Sequence, residues 1–89
     1  RRRAASPEAR LSERQMNNLG YDLLRSRRIG EAIAVFRLNA EDFPAPANVW
    51  DSLAEAWFAQ GDKKAALENY KKALALDPDH PGALFNLVA

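Results

Sequence analysis

Residues 50–78 read WDSLAEAWFAQGDKKAALENYKKALALDP, and the spacing of their apolar side chains predicts two consecutive helices. The residues at i, i+3, i+4 and i+7 of the first helix are Trp50, Leu53, Ala54 and Trp57. This spacing places them on one face of a helix over about residues 49–60. Gly61 favours a left-handed helix end, and Asp62 can cap a second helix over about residues 65–76. Pro78 ends that helix, because the residue before a proline is disfavoured in helical conformation.

A matching pattern lies upstream at a constant offset, so the chain contains an internal repeat. The matched pairs are Met16 and Trp50, Leu19 and Leu53, Gly20 and Ala54, Leu23 and Trp57, Ala32 and Ala66, Phe36 and Tyr70, and Pro44 and Pro78. Seven pairs of similar size and polarity at one spacing indicate two copies of a helix-turn-helix unit. We expect the small residues Gly20 and Ala54 where the helices of each unit cross, opposite Ala32 and Ala66.

The second copy resembles the tetratricopeptide (TPR) repeat, whose pattern is W-x2-L-G-x2-Y, A-x3-F and P with a period of about 34 residues. The offset between the two copies of this chain equals that period. The second copy departs from the pattern at Ala54 for Gly, Trp57 for Tyr and Tyr70 for Phe. The resemblance covers about residues 13–89. It implies an all-α fold of antiparallel helix-turn-helix repeats, a TPR-like α-solenoid with two repeats and a C-terminal capping helix.

The resemblance also predicts the domain organisation. Repeat 1 is expected over residues 13–46 and repeat 2 over residues 47–80, followed by a partial third repeat or capping helix over residues 81–89. Residues 1–12 are an Arg-rich segment that is either a linker or the start of helix one. Because the chain begins with Arg and its only methionine is Met16, we expect it to be a segment of a longer polypeptide or a processed product.

Helix one has two candidate starts. Ser12 and Gln15 have the spacing of a capping box, whereas Pro7 after Ser6 would suit the first position of a longer helix. This helix is expected to end near Ser26, and its partner helix is expected over residues 30–42.

The first copy has Arg27-Arg28 where the second has Gly61-Asp62. An arginine in the left-handed region costs about 1–2 kcal/mol. We therefore expect the turn of the first repeat to have a different shape.

Composition excludes several classes of function. The 89 residues are 47% apolar and 28% charged, as in a globular domain, and they include no Cys and only one His, His80. We therefore expect no metal and no cofactor. The chain has no apolar run long enough to span a membrane, and it has no G-x-S-x-G elbow or Gly-rich phosphate loop. We predict that it is not an enzyme and has no catalytic residue.

The first helices of stacked TPR units line a concave surface that usually binds an extended peptide or a partner helix. The peptide-binding residues predicted on this surface are Arg14, Asn17, Tyr21, Leu24, Asn48, Asp51, Glu55 and Phe58. The alternative is that these are ordinary solvated positions. The leading hypothesis is a non-catalytic protein-protein interaction module, a scaffold whose partner is a protein or peptide.

TPR domains that bind the C-terminal carboxylates of chaperones use a clamp of Lys, Asn and Arg side chains. The aligned positions of this chain hold Asn17, Tyr21, Ser52, Gly82 and Asn86. No cation is available among them to hold a carboxylate, so chaperone tails are not expected as ligands. The carboxylates of Asp51 and Glu55 would better suit a basic ligand.

Charge is distributed unevenly along the chain. Residues 1–40 carry nine Arg against four acidic residues, whereas residues 41–89 carry four Lys against eight. The arginines at residues 1–3 and 25–28 could contact nucleic-acid phosphates. We favour the interpretation that the first cluster is a terminal tail or linker remnant. The second lies at the C-terminus of a helix, where positive charge interacts favourably with the helix dipole. Nucleic acid and membrane are therefore not expected as partners.

A narrower resemblance supplies an alternative function. Residues 18–24, 31–39 and 48–56 resemble the C-terminal repeat tails of some bacterial serine hydrolases of the β-lactamase-like and esterase-like kinds. The resemblance implies an accessory or dimerisation tail of a larger bacterial enzyme. Its partner would be its own parent domain or a second copy, forming a homodimer.

Overall fold

The computed structural model describes residues 11–79. They form four α-helices and no strand: α1 (Glu13–Arg25), α2 (Ile29–Asp42), α3 (Ala47–Gln60) and α4 (Lys63–Leu76). Each helix packs mainly against the next in chain order, and short turns make neighbouring helices antiparallel. The predicted all-α fold of TPR-like helical repeats is confirmed. The predictions for residues 1–10, His80 and the partial third repeat over residues 81–89 lie outside the described residues.

The capping box is the correct one of the two predicted starts for helix one. The Ser12 side chain accepts a hydrogen bond from the Gln15 backbone N–H at 3.1 Å, and the Ser12 backbone N–H donates to Gln15 Oε1 at 2.8 Å. Ser12 itself has extended backbone, with φ −71° and ψ 167°, so α1 begins at Glu13. Pro7 lies outside the described residues.

The other helix ends agree with prediction to within two residues. α2 begins one residue before the expected Gly30, and α3 begins two residues before the expected Val49. At α3 the N-cap is Pro46, whose side chain makes no capping hydrogen bond. Asp62 caps α4 as predicted, because its side chain accepts from the Ala65 N–H at 3.0 Å.

The prediction of a differently shaped turn in the first repeat is wrong. Arg27 has φ 67° and Gly61 has φ 98°, so both turns use the left-handed conformation. The Arg27 N–H donates to Leu24 O at 3.0 Å, as the Gly61 N–H donates to Phe58 O at 3.0 Å. These two backbone hydrogen bonds satisfy equivalent carbonyl groups at the helix ends, which offsets the steric cost of the arginine side chain.

The core forms two connected clusters of buried side chains. One joins α2 to α3 and contains Ala32, Ile33, Phe36, Leu53 and Ala56. The other joins α3 to α4 and contains Ala47, Ala54, Ala66, Tyr70 and Ala73. The half-buried rings of Trp50 and Trp57 pack against both clusters, which makes α3 the helix shared by the two repeats.

The crossing of α1 and α2 requires glycine. A Cβ atom placed on Gly20 would lie 2.6 Å from Cδ1 of Phe36, well inside van der Waals contact. Phe36 is completely buried, so the ring has little room to move away. The predicted roles of Gly20, Ala32, Ala54 and Ala66 as small residues in the core agree with their burial.

Candidate functional site

The candidate site is the face formed by α1 and α3, which are the first helices of the two repeats. We call it the α1–α3 face and define it by the residues predicted from the sequence together with Ser52. Three side-chain hydrogen bonds connect the two helices across it. These bonds hold the two first helices at a fixed spacing.

Ser52 is the central residue of this connection. Its hydroxyl is fully buried, accepts a hydrogen bond from the Tyr21 hydroxyl at 3.2 Å, and donates to Asn17 Oδ1 at 2.7 Å. These two bonds orient the side chains of Tyr21 and Asn17. They also satisfy the Ser52 hydroxyl, which would destabilise the fold if it were buried without a partner. Sequence reasoning did not include Ser52 in the binding face, although Val49 and Ala56 at i−3 and i+4 were a signal that it is buried.

A second connection lies at the N-terminal ends of the two helices. Asn48 Nδ2 donates to Glu13 Oε2 at 3.5 Å. Both ends of this bond are at the surface, so it contributes less to stability than the buried Ser52 bonds. It nevertheless places the Glu13 carboxylate on the same face as Asn48.

The predicted binding residues differ in how far they are exposed. Arg14, Asn48 and Phe58 are exposed, and Phe58 is the most open at 58%. Four residues are half-buried: Asn17, Tyr21, Leu24 and Glu55. Asp51 is buried, with 6% of its surface exposed. The structure therefore brings all eight predicted residues to α1 and α3, but only some of them offer a large surface to a ligand.

Tyr21 links the site to the core. Its ring meets the buried Phe36 ring edge-on, with centroids 5.1 Å apart and an interplanar angle of 67°. Such edge-to-face pairs are a favoured arrangement of aromatic rings. The position of the Tyr21 hydroxyl is thus determined by Phe36 beneath it and by Ser52 beside it.

The electrostatic environment of the site is negative. Burial raises the pKa of Tyr21 well above its ordinary value of 10, and the carboxylates of Glu55 and Asp51 raise it further against the opposing effect of the Ser52 hydrogen bond. Burial, with Glu55 and Asp51 again contributing, raises the pKa of Tyr70 to about 12. Both hydroxyls stay protonated at neutral pH and can donate hydrogen bonds.

The arginines around the turn between α1 and α2 make local ion pairs. Arg25 pairs with Asp22 within α1, and Arg28 pairs with Glu31 across the start of α2. The hydrogen bond to Glu31 raises the pKa of the Arg28 guanidinium. These pairs agree with the interpretation of this cluster as helix-end charges.

Residues 11–79 contain no group of three or more metal-ligating side chains. In the same part of the chain, no helix combines the length and the apolar character needed to cross a membrane.

Comparison with known proteins adds sequence evidence to this fold of stacked helix pairs. A family model described as TPR repeat matches residues 54–87. The chain therefore contains a TPR repeat, and TPR repeats generally mediate protein-protein interaction.

A curated relative covers more of the chain. Superkiller complex protein 3 of mouse (Mus musculus) is 30% identical over 66 residues, which are 74% of this chain. The chain spans only 4% of the length of that relative. The similarity therefore concerns one small part of a much larger protein.

Proposed function

We propose that this chain is a non-catalytic interaction module that binds a peptide or a partner helix on the α1–α3 face. The presence of a TPR repeat supports the general class, because such repeats mediate protein-protein interaction. The relative carries the name of a complex protein, which is compatible with a role in assembly. The location of the binding surface on α1 and α3 is the specific part of the proposal.

The observation that carries the proposal is the combination of fixed and exposed side chains on this face. Asn17 and Tyr21 are held by the buried Ser52, so their orientation is set before any ligand arrives. Phe58 leaves 58% of its surface exposed at the other end of the face. The face thus combines preorganised polar groups, whose ordering costs little on binding, with an exposed aromatic ring that can bury apolar area against a partner.

The first experiment selects ligands from a random-sequence peptide library displayed on phage. The affinity of an enriched synthetic peptide is then measured by calorimetry for the wild type and for two variants. Phe58→Ala should weaken binding by about tenfold or more, because the ring is the most exposed apolar side chain of the face. Leu38→Ala is the matched control, since Leu38 is also an exposed large apolar residue, at 41%, but lies on α2.

Equal affinities of the wild type and Phe58→Ala, with a loss in Leu38→Ala, would place binding on another face. Failure of the library to yield any enriched peptide would argue against a peptide-binding module. Circular dichroism of both variants establishes that they keep the helical fold.

The alternative function is an accessory or dimerisation tail of a larger bacterial enzyme such as a serine hydrolase. Leu67 favours this candidate, because it is 40% exposed on α4 although its counterpart in the first repeat, Ile33, is 5% exposed beneath α3. In stacked repeats this position packs against the following unit, as Ile33 packs against α3, so Leu67 is suited to a further packing partner. Sedimentation equilibrium over a range of concentrations, with Leu67→Asp as the variant, tests it. A dimer that this variant abolishes would support the tail, whereas a monomer at all concentrations would argue against dimerisation.

A further inference from the structure

We infer that copies of this chain stack end to end, with α1 of one copy packed against α4 of the next. The inference concerns the two ends of the helix stack and is independent of the peptide binding proposed for the α1–α3 face. It follows from equivalent positions of the two repeats, one of which lies inside the stack while the other lies at an end.

The internal interface between α2 and α3 shows which positions hold two repeats together. Leu53 of α3 is 4% exposed and Ile33 of α2 is 5% exposed, and both belong to one buried cluster. Their equivalents in the other repeat are Leu19 of α1 and Leu67 of α4. Leu19 is 39% exposed and Leu67 is 40% exposed, because α1 and α4 are the first and last helices of the described stack.

The two ends are complementary, since together they repeat the contact already made in the middle of the chain. α1 presents a leucine where α3 presents Leu53, and α4 presents a leucine where α2 presents Ile33. Bringing the two ends together removes apolar surface from water in the same way as the internal interface does. Because the two surfaces differ, the contact is head-to-tail and does not close in a pair of copies.

The charges of the end helices favour this pairing over a contact between two copies of α4. α4 carries four lysines against Glu68, whereas α1 carries two arginines against Glu13 and Asp22. Two copies of α4 in contact would bring like charges together, which disfavours association. The charges of α1 balance, so α1 can approach α4 without that repulsion.

The contact between copies should be weaker than the internal one, because the neighbouring positions of α1 are more polar than those of α3. Asn18 and Asp22 are exposed on α1, whereas the equivalent residues of α3, Ser52 and Ala56, are buried. Association is therefore expected only at high protein concentration.

Stacking would extend the α1–α3 face from one copy to the next. α1 and α3 run parallel and in register, as the bonds from Asn48 to Glu13 and from Ser52 to Asn17 show. A copy placed on α4 in the same way puts its α1 beside α3 of the first copy, so the first helices continue in one row. An assembly of copies would thus present several equivalent surfaces to a partner that contains repeated motifs.

The test uses sedimentation equilibrium of the full chain over protein concentrations from about 10 μM to 1 mM, where weak contacts dissociate. The average mass of the wild type should rise with concentration without stopping at that of a dimer. Leu19→Asp removes the contact of one end and Leu67→Asp that of the other, so each variant alone should stay monomeric. An equimolar mixture of the two should form a dimer and nothing larger, because each supplies the end that the other lacks. Leu38→Asp is the matched control, since Leu38 is 41% exposed on α2 and its replacement should leave association unchanged.

Circular dichroism establishes that each variant keeps the helical fold, and Leu19→Gln or Leu67→Gln replaces a variant that does not. A wild type that stays monomeric over the whole range would overturn the inference, as would happen if the predicted capping helix over residues 81–89 covered α4. Association that Leu67→Asp abolishes and Leu19→Asp retains would also overturn it, because a closed dimer through α4 would then form. Association retained in both variants would place the contact on another surface. None of these results bears on peptide binding by the α1–α3 face, so the inference and the proposed function fail separately.

Discussion

Arg27 and Gly61 occupy equivalent positions in the two repeats, and both have left-handed backbone, with φ 67° and 98°. The residue after each donates to equivalent carbonyls as well, Arg28 N–H to Leu23 O at 2.9 Å and Asp62 N–H to Trp57 O at 3.0 Å. The helix-ending turn is therefore the same in both repeats although one residue is glycine and the other is not. The backbone hydrogen bonds of the repeat determine the turn, and the arginine adopts the conformation at a steric cost.

Replacing the two residues should have opposite effects. Arg27→Gly should raise the free energy of unfolding by up to about 1 kcal/mol, because relief of the left-handed cost outweighs the greater freedom of glycine in the unfolded chain. Gly61→Ala should lower it by about 1 kcal/mol or more. A Cβ atom there would meet no atom within 4 Å outside the adjoining backbone, so only backbone strain acts. Urea unfolding followed by circular dichroism measures both changes. Destabilisation by Arg27→Gly would mean that the arginine side chain contributes more than its conformation costs.

The close approach of Gly20 to Phe36 makes a second prediction. Gly20→Ala should destabilise the protein by about 1–2 kcal/mol, because overpacking against a buried ring exceeds the gain in helix propensity. Gly30→Ala is the control, since a Cβ there has no neighbour within 4 Å and should stabilise α2 by up to about 1 kcal/mol.

A second substitution distinguishes a steric clash from a general effect of helix packing. Phe36→Leu removes the ring that meets the new Cβ atom, so Gly20→Ala should be much less harmful in that background. Thermal or urea unfolding of the four proteins in this cycle gives the coupling. Additive effects would show that the ring is not what excludes a larger residue.

The fold was predictable because its determinants are local. The spacing of Trp50, Leu53 and Trp57 defines one helix face, and the caps at Ser12 and Asp62 act within a single helical turn. These signals can be read in a short window, so helix order and the ends of most helices agree with prediction.

The details of the candidate site were less predictable because they depend on packing between helices. Ser52 lies 35 residues from Asn17 and 31 from Tyr21, and its role exists only when α1 and α3 lie side by side. Asp51 was predicted among the residues that contact a peptide on the concave surface, but it is buried, and the spacing of residues within α3 could not indicate this. The turn at Arg27 was wrongly predicted because residue preference was given more weight than the hydrogen bonds of the repeat.

The hydrogen bonds of the Ser52 hydroxyl should contribute more to the free energy of unfolding than a hydrogen bond at the surface does. Ser52→Ala leaves Tyr21 and Asn17 without their shared partner and should lower the free energy of unfolding by about 1–3 kcal/mol. Ser26→Ala, at the exposed end of α1, should change it by less than about 0.5 kcal/mol.

A double-mutant cycle assigns the Ser52 effect to its partner. Asn17→Ala combined with Ser52→Ala should show a coupling of about 0.5–3 kcal/mol, because each single change already breaks the 2.7 Å bond. Unfolding in urea is again the measurement. A coupling near zero would mean that the cost of Ser52→Ala does not come from its hydrogen bond to Asn17.

The raised pKa of Tyr70 predicts a loss of stability at high pH. The hydroxyl ionises near pH 10 in the unfolded chain and near pH 12 in the folded protein, so the folded state retains a proton that the unfolded state has lost. The stabilising effect is complete below pH 10 and is lost as the pH rises towards 12. For this one group the free energy of unfolding should fall by at most about 1.4 kcal/mol per pH unit.

Tyr70→Phe separates this effect from the titration of other groups, because the ring stays while the ionising hydroxyl is removed. The fall in stability between pH 10 and pH 12 should be shallower in the variant than in the wild type. Ultraviolet absorbance of tyrosinate provides a direct check, since Tyr21→Phe leaves Tyr70 as the only tyrosine in the chain. Titration of that variant near pH 10 while it is still folded would show that burial and the neighbouring carboxylates do not hold the proton on Tyr70.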